Sequence, residues 1–262
     1  MAPIDLEAVA RAAEAAADRA RKEILPRFRS VATETKADGS PVTEADRAAE
    51  QAMRAVLSEA FPEFGLLGEE FGEQAGAAAG SGAPTFVIDP IDGTFGFARG
   101  IPLAASLIAL LVEGEPVFGL IDLPMLDERY VGWRAGGVRR NGTPVRCSQR
   151  DDAKTALVGH GDAFCFDLCG ERAAWERMAR ELPVLRGYTD AFGHAQVLGG
   201  GIDVMVDLAL APWDAAATQI LVPEAGGRCL TFDYPEVDKV GLVIGSPALV
   251  EQLADFLAAR PR

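Results

Sequence analysis

The sequence predicts a compact chain of the α/β or α+β class, in which helices and strands alternate. Apolar side chains recur at helical spacing over residues 4–29, and two apolar runs at 103–111 and 116–121 flank a short polar turn. Beyond about residue 150 the pattern changes repeatedly between strand and helix. A length of 262 residues and a hydrophobic content of 49% permit a sizeable core in one or two domains. Periodicity alone does not choose between the two classes.

The first part of the chain predicts two helices and a short strand. The helix at 4–29 is followed by a second one, for which Thr43 is the expected N-cap. Asp46 stands at the capping-box position of that helix, in the first turn, where the helix dipole favours a carboxylate. Residues 64–67 predict a short strand, and the Gly- and Ala-rich residues 72–84 predict a flexible connection.

The hexapeptide Asp89-Pro90-Ile91-Asp92-Gly93-Thr94 carries the most information in the chain. Residues 85–88 predict a buried strand that ends at Asp89, because Pro90 cannot donate to a sheet ladder and Gly93 tolerates turn angles. Open α/β folds build their sites at the carboxyl ends of strands. Two carboxylates this close favour a hard cation such as Mg²⁺ between them. The alternative is an Asx-type turn with two solvated aspartates.

Two further acidic segments weaken that alternative. Glu69 and Glu70 follow the strand at 64–67, and Trp213-Asp214 opens an apolar helical stretch. Convergence of these segments on the hexapeptide would form one carboxylate cage, although spacing alone does not establish it. The proposed members of the cage are Glu69, Asp89, Asp92 and Asp214.

The remaining elements follow in order. The runs at 103–111 and 116–121 predict a β-hairpin, and an antiparallel sheet continues through a tight Asn141-Gly142 turn. The later predicted elements are a strand at 156–159, a helix at 167–181, a strand at 184–187, a helix at 191–200, a strand at 203–208, the helix from Trp213, strands at 228–230 and 242–245, and a helix at 247–258.

Four motifs in order resemble the inositol monophosphatase family of Mg²⁺-dependent, lithium-sensitive phosphomonoesterases. They are residues 36–46, Gly68-Glu69-Glu70, the hexapeptide 89–94, and Trp213-Asp214-Ala215-Ala216 ending in Glu224-Ala225-Gly226-Gly227. One such motif is weak, but four of them cover nearly the whole chain. The resemblance implies the layered α-β-α-β-α sandwich of the inositol monophosphatase and fructose-1,6-bisphosphatase type. It places an N-terminal α+β half at 1–148 and a C-terminal α/β half at 149–262.

The resemblance also implies a role for each motif residue. It implies that Glu70 helps a third, loosely held Mg²⁺, that Thr94 and Asp46 orient and deprotonate the attacking water, and that the N–H groups of Gly93 and Thr94 meet the phosphate. Hydrolysis would then use two or three Mg²⁺ ions, show inhibition by Li⁺ and form no phospho-enzyme. The implied metal ligands are Glu69, Asp89, Asp92, Asp214 and the backbone carbonyl of Ile91.

Substrate choice depends on the segment Tyr188-Thr189-Asp190 and on Asp207. Family members that act on inositol phosphate carry small residues and a Glu at these places, which read ring hydroxyls. A carboxylate at Asp190 suits a cationic leaving group and resembles the branch of the family that hydrolyses histidinol phosphate. L-Histidinol phosphate, an ester of histidine biosynthesis whose amine would pair with Asp190 and Asp207, is therefore the favoured substrate. Inositol 1-phosphate, a broad substrate range, and a role of Asp190 as a helix N-cap alone stay open.

Composition and charge argue against other classes of function. A formal net charge of −14 argues against nucleic-acid binding. Because the chain has no apolar run of about 18 residues and no signal-peptide core, we expect a cytoplasmic protein without a membrane partner.

The two histidines and four cysteines do not have the spacing of a zinc site. The cysteines (Cys147, Cys165, Cys169 and Cys229) are expected to be reduced thiols in or near the core. His160 and His194 are expected to pack or lie at the surface, with ligand contact by His194 as the alternative.

Two other functions and the oligomeric state complete the expectations. A regulatory, RNA-polymerase-associated binding protein on a phosphatase fold is one alternative, and a nucleotide or sugar bisphosphatase is the other. A full set of four acidic ligands is more than a binding module requires, and the substrate segment offers Arg186 but no basic cluster for a second phosphate. By resemblance, the protein is expected to be a homodimer.

Overall fold

A computed structural model describes residues 4–36, 39, 41–77, 80 and 82–262. Some residues of the motif at 36–46 and of the connection at 72–84 lie outside this description. They are Ala37, Asp38 and Ser40 in the motif and residues 78, 79 and 81 in the connection. The described helices are α1 (Leu6–Arg27), α2 (Glu44–Ala60), α3 (Thr94–Ala98), α4 (Ala163–Leu168), α5 (Arg172–Glu181), α6 (Asp190–Leu198), α7 (Pro212–Glu224) and α8 (Pro247–Ala254). The described strands are β1 (Thr33–Thr35), β2 (Pro41–Thr43), β3 (Gly65–Gly68), β4 (Gly72–Gln74), β5 (Thr85–Asp92), β6 (Ala105–Val112), β7 (Glu115–Leu123), β8 (Glu128–Trp133), β9 (Gly137–Arg140), β10 (Thr143–Pro144), β11 (Val158–His160), β12 (Leu185–Gly187), β13 (Val204–Leu210), β14 (Arg228–Tyr234) and β15 (Lys239–Gly245).

The strands form a hairpin and two larger sheets. β1 and β2 pair with each other, and the larger sheets have the orders β10-β9-β8-β7-β6-β5-β3-β4 and β12-β11-β13-β15-β14. In the first large sheet β3 and β5 are parallel, and in the second β11 is parallel to both β12 and β13. The other pairings are antiparallel. Both sheets are therefore mixed.

The helices lie in three layers around these sheets. α1 and α2 bury their apolar faces against one face of the eight-stranded sheet. α6 and α7 fill the space between the two sheets, and α4, α5 and α8 cover the far face of the five-stranded sheet. The order of layers is thus α-β-α-β-α, which confirms the predicted fold class.

Alternation along the strands explains how each sheet is covered on both faces. On β13, Met205 packs in the central layer, whereas Val204 and Val206 pack under the outer helices. Gly119 of β7 leaves room for α7, because a Cβ there would lie 2.6 Å from the carbonyl oxygen of Ala217. The central helix therefore approaches the eight-stranded sheet at backbone distance.

The structure corrects three of the sequence predictions. β5 does not end at Asp89 but continues through a register shift to Asp92. The helix predicted at 167–181 is two helices, α4 and α5, because Gly170 adopts a left-handed φ of 72° between them. Part of the predicted flexible connection pairs with β3 as β4. The boundary predicted at 148/149 stays a prediction.

The four cysteines are free thiols, as the sequence predicted. Cys147 is buried and the other three are half-buried. Burial raises the pKa of the Cys165 thiol to about 12. Since the thiolate is the nucleophilic form, this cysteine is a neutral group at physiological pH.

Candidate active site

The first acidic pair lies in an irregularity of β5. The register with β6 shifts between Asp89 and Asp92, which places Pro90 and Ile91 in a β-bulge, where a missing ladder donor is tolerated. The Ser106 hydroxyl donates to the carbonyl of Pro90 at 2.7 Å, and the N–H of Ile91 donates to Asp89 Oδ1 at 3.0 Å. The bulge thus fixes the backbone between the two carboxylates.

Helix α7 supplies a third carboxylate. Asp214 lies in its first turn, where the N–H of Ala211 donates to Asp214 Oδ2 at 2.7 Å and the helix dipole favours a negative charge. Asp89, Asp92 and Asp214 each present an oxygen, and these oxygens lie within 4.8 Å of one another. The fold therefore brings β5 and the central helix together at one acidic cluster.

Burial and mutual repulsion raise the pKa of every carboxyl group in this cluster. The pKa values of Asp89 and Asp92 lie well above their ordinary value, chiefly through burial and then through the charges of Glu69 and Asp190 respectively. Burial also raises the pKa of Asp214 to about 6. Oxygen ligands with excess negative charge fit a hard divalent cation, so the residues present fit Mg²⁺.

Glu69 lies beside this cluster and is paired with Lys36. The Lys36 ammonium donates to Glu69 Oε1 at 2.8 Å and also pairs with Glu70. The charge of Glu69 nevertheless contributes to the raised pKa of both Asp89 and Asp214. Burial raises the pKa of Glu70, against the effect of Lys36. The two glutamates thus border the cluster. Their positively charged partner is the ammonium group of Lys36.

Glu50 is a positioning residue that the sequence patterns did not single out. It is fully buried on α2, where its Oε2 accepts from the N–H of Glu70 at 2.7 Å and its Oε1 accepts from Arg54 Nε at 2.7 Å. Gly68 leaves room for this carboxylate, because a Cβ there would overlap it. A glutamate on the apolar stripe of α2 with an arginine four residues later was the signal available.

Thr94 and Asp46 meet at the other side of the bulge. Asp46 is fully buried, and its Oδ2 accepts from the N–H and the hydroxyl of Thr43, at 2.8 and 2.6 Å. Thr94 Oγ1 lies 3.0 Å from Asp46 Oδ1 and 2.9 Å from the carbonyl oxygen of Ile91. Burial raises the pKa of Asp46, although these hydrogen bonds oppose the rise. The capping role of Asp46 and its contact with Thr94 therefore coexist.

Asp190 lies next to the turn that follows the bulge. Gly93 adopts a left-handed φ of 83°, and a Cβ there would lie 3.0 Å from Asp190 Oδ2. α6 begins at Asp190 with Thr189 as its N-cap, so Asp190 lies in the first turn of the helix and not at the predicted N-cap position. The N–H of Ala191 donates to Asp92, which ties the first turn of α6 to the acidic cluster.

Asp207 and His194 line the inner wall of the substrate region. His194 is 1% exposed and Asp207 is 4% exposed, and Nε2 of His194 lies 3.1 Å from Asp207 Oδ2. Nδ1 of the same ring lies 2.9 Å from Thr218 Oγ1. The ring is buried and both of its nitrogens contact protein side chains, which agrees with the expectation that His194 packs.

A cavity of about 130 Å³ opens beside the acidic cluster. Among the lining residues that carry a carboxyl or thiol group, sequence patterns did not assign Asp162 and Cys165 to the site. Asp162 follows β11, which is parallel to its neighbours, and the shared carboxyl edge of parallel strands was the signal available. The acidic lining residues are Asp92, Asp162, Asp190, Asp207 and Asp214.

Comparison with known proteins decides the family. A family model described as the inositol monophosphatase family matches residues 5–255. The chain belongs to the inositol monophosphatase family. A histidinol-phosphatase of Chlorobaculum parvum is 38% identical over 244 residues, which cover 90% of this chain and 92% of that protein. An inositol-1-monophosphatase of Mesorhizobium japonicum is 33% identical over 240 residues, with 86% and 87% covered.

Solved structures of inositol monophosphatase relatives share the fold. The extragenic suppressor protein suhB of Bartonella henselae matches with a TM-score of 0.83 and 27% identity, over 97% of this chain and 98% of that one. The prediction of a phosphoric monoester hydrolase is confirmed by the family membership. The inositol monophosphatase family acts on small phosphomonoesters and depends on Mg²⁺ in general, which agrees with the acidic cluster.

No helix in the described ranges combines the length and the apolar character needed to cross a membrane. The longest helix, α1, alternates buried alanines with charged residues along its 22 residues.

The acidic cluster predicts a pH-dependent response of this protein to Mg²⁺. Without metal, the folded-state pKa of Asp214, about 6, lies above its ordinary value of 3.8. The folded state therefore binds the proton more tightly, and the stability that this contributes is lost as the pH rises through about 6. We expect the Tm of the EDTA-treated protein to fall, on the order of several degrees, between about pH 5 and about pH 7.5.

Mg²⁺ should reverse this loss, because it binds the ionised carboxylates. Thermal melts by fluorimetry at both pH values should show a larger rise in Tm on addition of Mg²⁺ at the higher pH. Equal Mg²⁺ stabilisation at the two pH values would contradict binding at this cluster. A melt with Na⁺ at matched ionic strength controls for screening.

Proposed function

We propose that this chain hydrolyses L-histidinol phosphate to L-histidinol and phosphate in the presence of Mg²⁺, and so serves histidine biosynthesis. The acidic lining of the cavity beside the metal-ligand cluster carries this proposal. Within the described residues, no lysine or arginine lines the cavity. An acidic pocket suits a leaving group that carries an amine.

The acidity of the cavity exceeds what metal binding uses. Asp92 and Asp214 are assigned to the metal, which leaves Asp162, Asp190 and Asp207 on the substrate side. The raised pKa of Asp190, caused chiefly by burial and further by the charge of Asp207, shows that these groups repel one another. A bound cation would relieve this repulsion, whereas the hydroxyls of inositol carry no charge. The histidinol-phosphatase relative supports the same choice.

The metal ligands proposed are Glu69, Asp89, Asp92, Asp214 and the carbonyl of Ile91, with Glu70 assisting a third ion. Mg²⁺ bound there polarises phosphoryl oxygens and lowers the pKa of water. For Glu69 to act as a ligand, its pairing with Lys36 must loosen. The N–H groups of Gly93 and Thr94 are proposed to bind the phosphate. Inhibition by Li⁺ is part of the same proposal.

The proton of the attacking water is proposed to leave through Thr94 and Asp46. The Thr94 hydroxyl donates to Asp46 Oδ1 at 3.0 Å, so Oγ1 can accept a hydrogen from water while its own proton moves to Asp46. Burial raises the pKa of Asp46 and so makes it a better proton acceptor. The hydrogen bonds from Thr43 hold its other oxygen in place.

Asp190→Asn tests the substrate assignment. We expect kcat/KM for L-histidinol phosphate to fall roughly 10- to 100-fold, because a charge-assisted hydrogen bond becomes a neutral one. Rates on β-glycerophosphate should stay within about twofold, since that ester carries no amine. Asparagine tolerates the left-handed φ of 61° at this position, so the backbone is preserved. Phosphate release in Mg²⁺ buffer, with an EDTA control, measures both.

The wild-type protein must also prefer L-histidinol phosphate over myo-inositol 1-phosphate. A preference for the inositol ester, together with an Asp190→Asn variant of unchanged selectivity, would contradict the proposal and favour an inositol-1-monophosphatase. Equal rates on many esters would indicate a broad substrate range. No Mg²⁺-dependent turnover of any phosphomonoester would revive a binding role.

We also propose that the protein is a homodimer. The family resemblance is the basis of this proposal. Light scattering at micromolar concentration should give a mass near twice 27.7 kDa. A mass near that of one chain would contradict it.

A further inference from the structure

His194 holds one oxygen of Asp207 through a buried three-residue chain. Its Nε2 lies 3.1 Å from Asp207 Oδ2, and its Nδ1 lies 2.9 Å from Thr218 Oγ1. An ionised carboxylate only accepts hydrogen bonds, so Nε2 carries the hydrogen. Since both ring nitrogens are engaged and the ring is 1% exposed, its orientation is fixed. The imidazole thereby connects α6, β13 and α7 behind the cavity.

Gly161 leaves the space that the other oxygen of Asp207 requires. A Cβ at Gly161 would overlap Asp207 Oδ1, so no larger residue is compatible with this carboxylate orientation. The backbone of Gly161 is itself held, because its N–H donates to the carbonyl of Val206 at 3.0 Å. The sequence patterns singled out neither Gly161 nor Thr218.

Asp207 Oδ1 is the free oxygen of this arrangement. It has no hydrogen-bond partner within the described part of the chain. Every fully buried side-chain oxygen in that part has a partner, so Oδ1 is not fully buried. Asp207 lines the cavity, so Oδ1 reaches its open space. One oxygen of Asp207 is therefore held by the protein and the other is presented to a ligand.

We propose that His194 and Gly161 determine substrate specificity by holding Asp207 so that Oδ1 binds the primary ammonium group of the leaving alcohol. This inference rests on the proposed function, since it requires an amine-bearing phosphomonoester. A carboxylate fixed before binding loses little freedom when the ammonium arrives, and a charge-assisted hydrogen bond is directional. Asp190 supplies a second carboxyl group to the same cavity. His194 acts through Asp207 and is a positioning residue.

The test compares two esters that differ only in the amine. L-Histidinol phosphate and 3-(imidazol-4-yl)propyl phosphate are assayed with the wild type, His194→Leu, His194→Gln and Gly161→Ala. We expect His194→Leu to raise KM for L-histidinol phosphate roughly tenfold and to leave the kinetics of the deaminated ester within about twofold. His194→Gln should restore most of the loss, because its amide N–H can donate to Asp207. Gly161→Ala should show the same selective rise in KM.

The outcomes separate the inference from the proposed function. Equal losses on both esters in a folded His194→Leu variant, judged by its Tm, would show that the ring only packs and would overturn the inference. The inference would also be overturned if His194→Leu and Gly161→Ala kept the wild-type preference for L-histidinol phosphate over the deaminated ester. Wild-type kinetics that do not distinguish the two esters would instead overturn the proposed function, and the inference with it.

Discussion

Asp89→Asn is expected to lower kcat by a factor on the order of 10³ or more, since it removes from the acidic cluster a negative charge that is proposed to bind Mg²⁺. Asp89 is 2% exposed, and one of its oxygens accepts from the N–H of Ile91. Asparagine keeps the shape and this hydrogen bond, so the loss reports on the charge. Phosphate release at saturating substrate over a range of Mg²⁺ concentrations measures it.

The stability of the same variant separates a metal ligand from a structural carboxylate. The pKa of Asp89 is raised by burial and by Glu69, Asp92 and Asp214, so its charge opposes folding when no cation is bound. In EDTA, Asp89→Asn should therefore melt at a higher temperature than the wild type, while Mg²⁺ should stabilise it less. Asp233→Asn removes an equal charge at an exposed ion pair with Arg262 and is the matched control. A near-normal kcat, or a lower Tm in EDTA, would contradict the metal assignment.

Thr94→Val should lower kcat by roughly 10²- to 10⁴-fold, because it removes the hydroxyl proposed to pass a proton from water to Asp46. Valine has nearly the shape of threonine, and Thr94 is 8% exposed, so packing changes little. The rise in Tm on addition of Mg²⁺ should stay close to that of the wild type, since Thr94 contributes no charge to the cluster. Single-turnover phosphate release measures the chemical step.

Thr94→Ser is the rescue control for this prediction, because serine retains a hydroxyl group. In the wild type this hydroxyl oxygen lies 3.0 Å from Asp46 Oδ1. The serine variant should recover most of the rate. Loss of Mg²⁺ stabilisation in Thr94→Val would show that the variant disturbs the metal site, through the contact between Thr94 and the carbonyl of Ile91. Equal rates for the serine and valine variants would contradict the proton relay.

Elements with local causes were predictable from the sequence. The N-cap at Thr43, with Asp46 bonded back to its N–H, follows from side chains three residues apart. The turn at Asn141-Gly142, with φ of 46° and 79°, follows from two residues that tolerate a left-handed backbone. The family motifs identified the residues of the acidic cluster, because each motif is a short run of neighbours in sequence.

Contacts between distant segments were not predictable. The course of β5 past Asp89 depended on its pairing with β6, since a proline that ends an isolated strand is accommodated in a bulge between paired ones. Two further contacts join segments that no local sequence pattern relates. Lys36 pairs with Glu69, and Glu50 accepts a hydrogen bond from the N–H of Glu70.

The sequence by itself therefore determined the family, the layer order implied by it and the residues of the acidic cluster, because these follow from local runs of residues. Only the tertiary structure decided that Asp162 joins Asp190 and Asp207 around one cavity beside the acidic cluster and that His194 holds Asp207 against Gly161. The physical reason is that local charge density, burial and side-chain orientation depend on which segments become neighbours in the folded chain. Segments that are distant in sequence become neighbours only through folding.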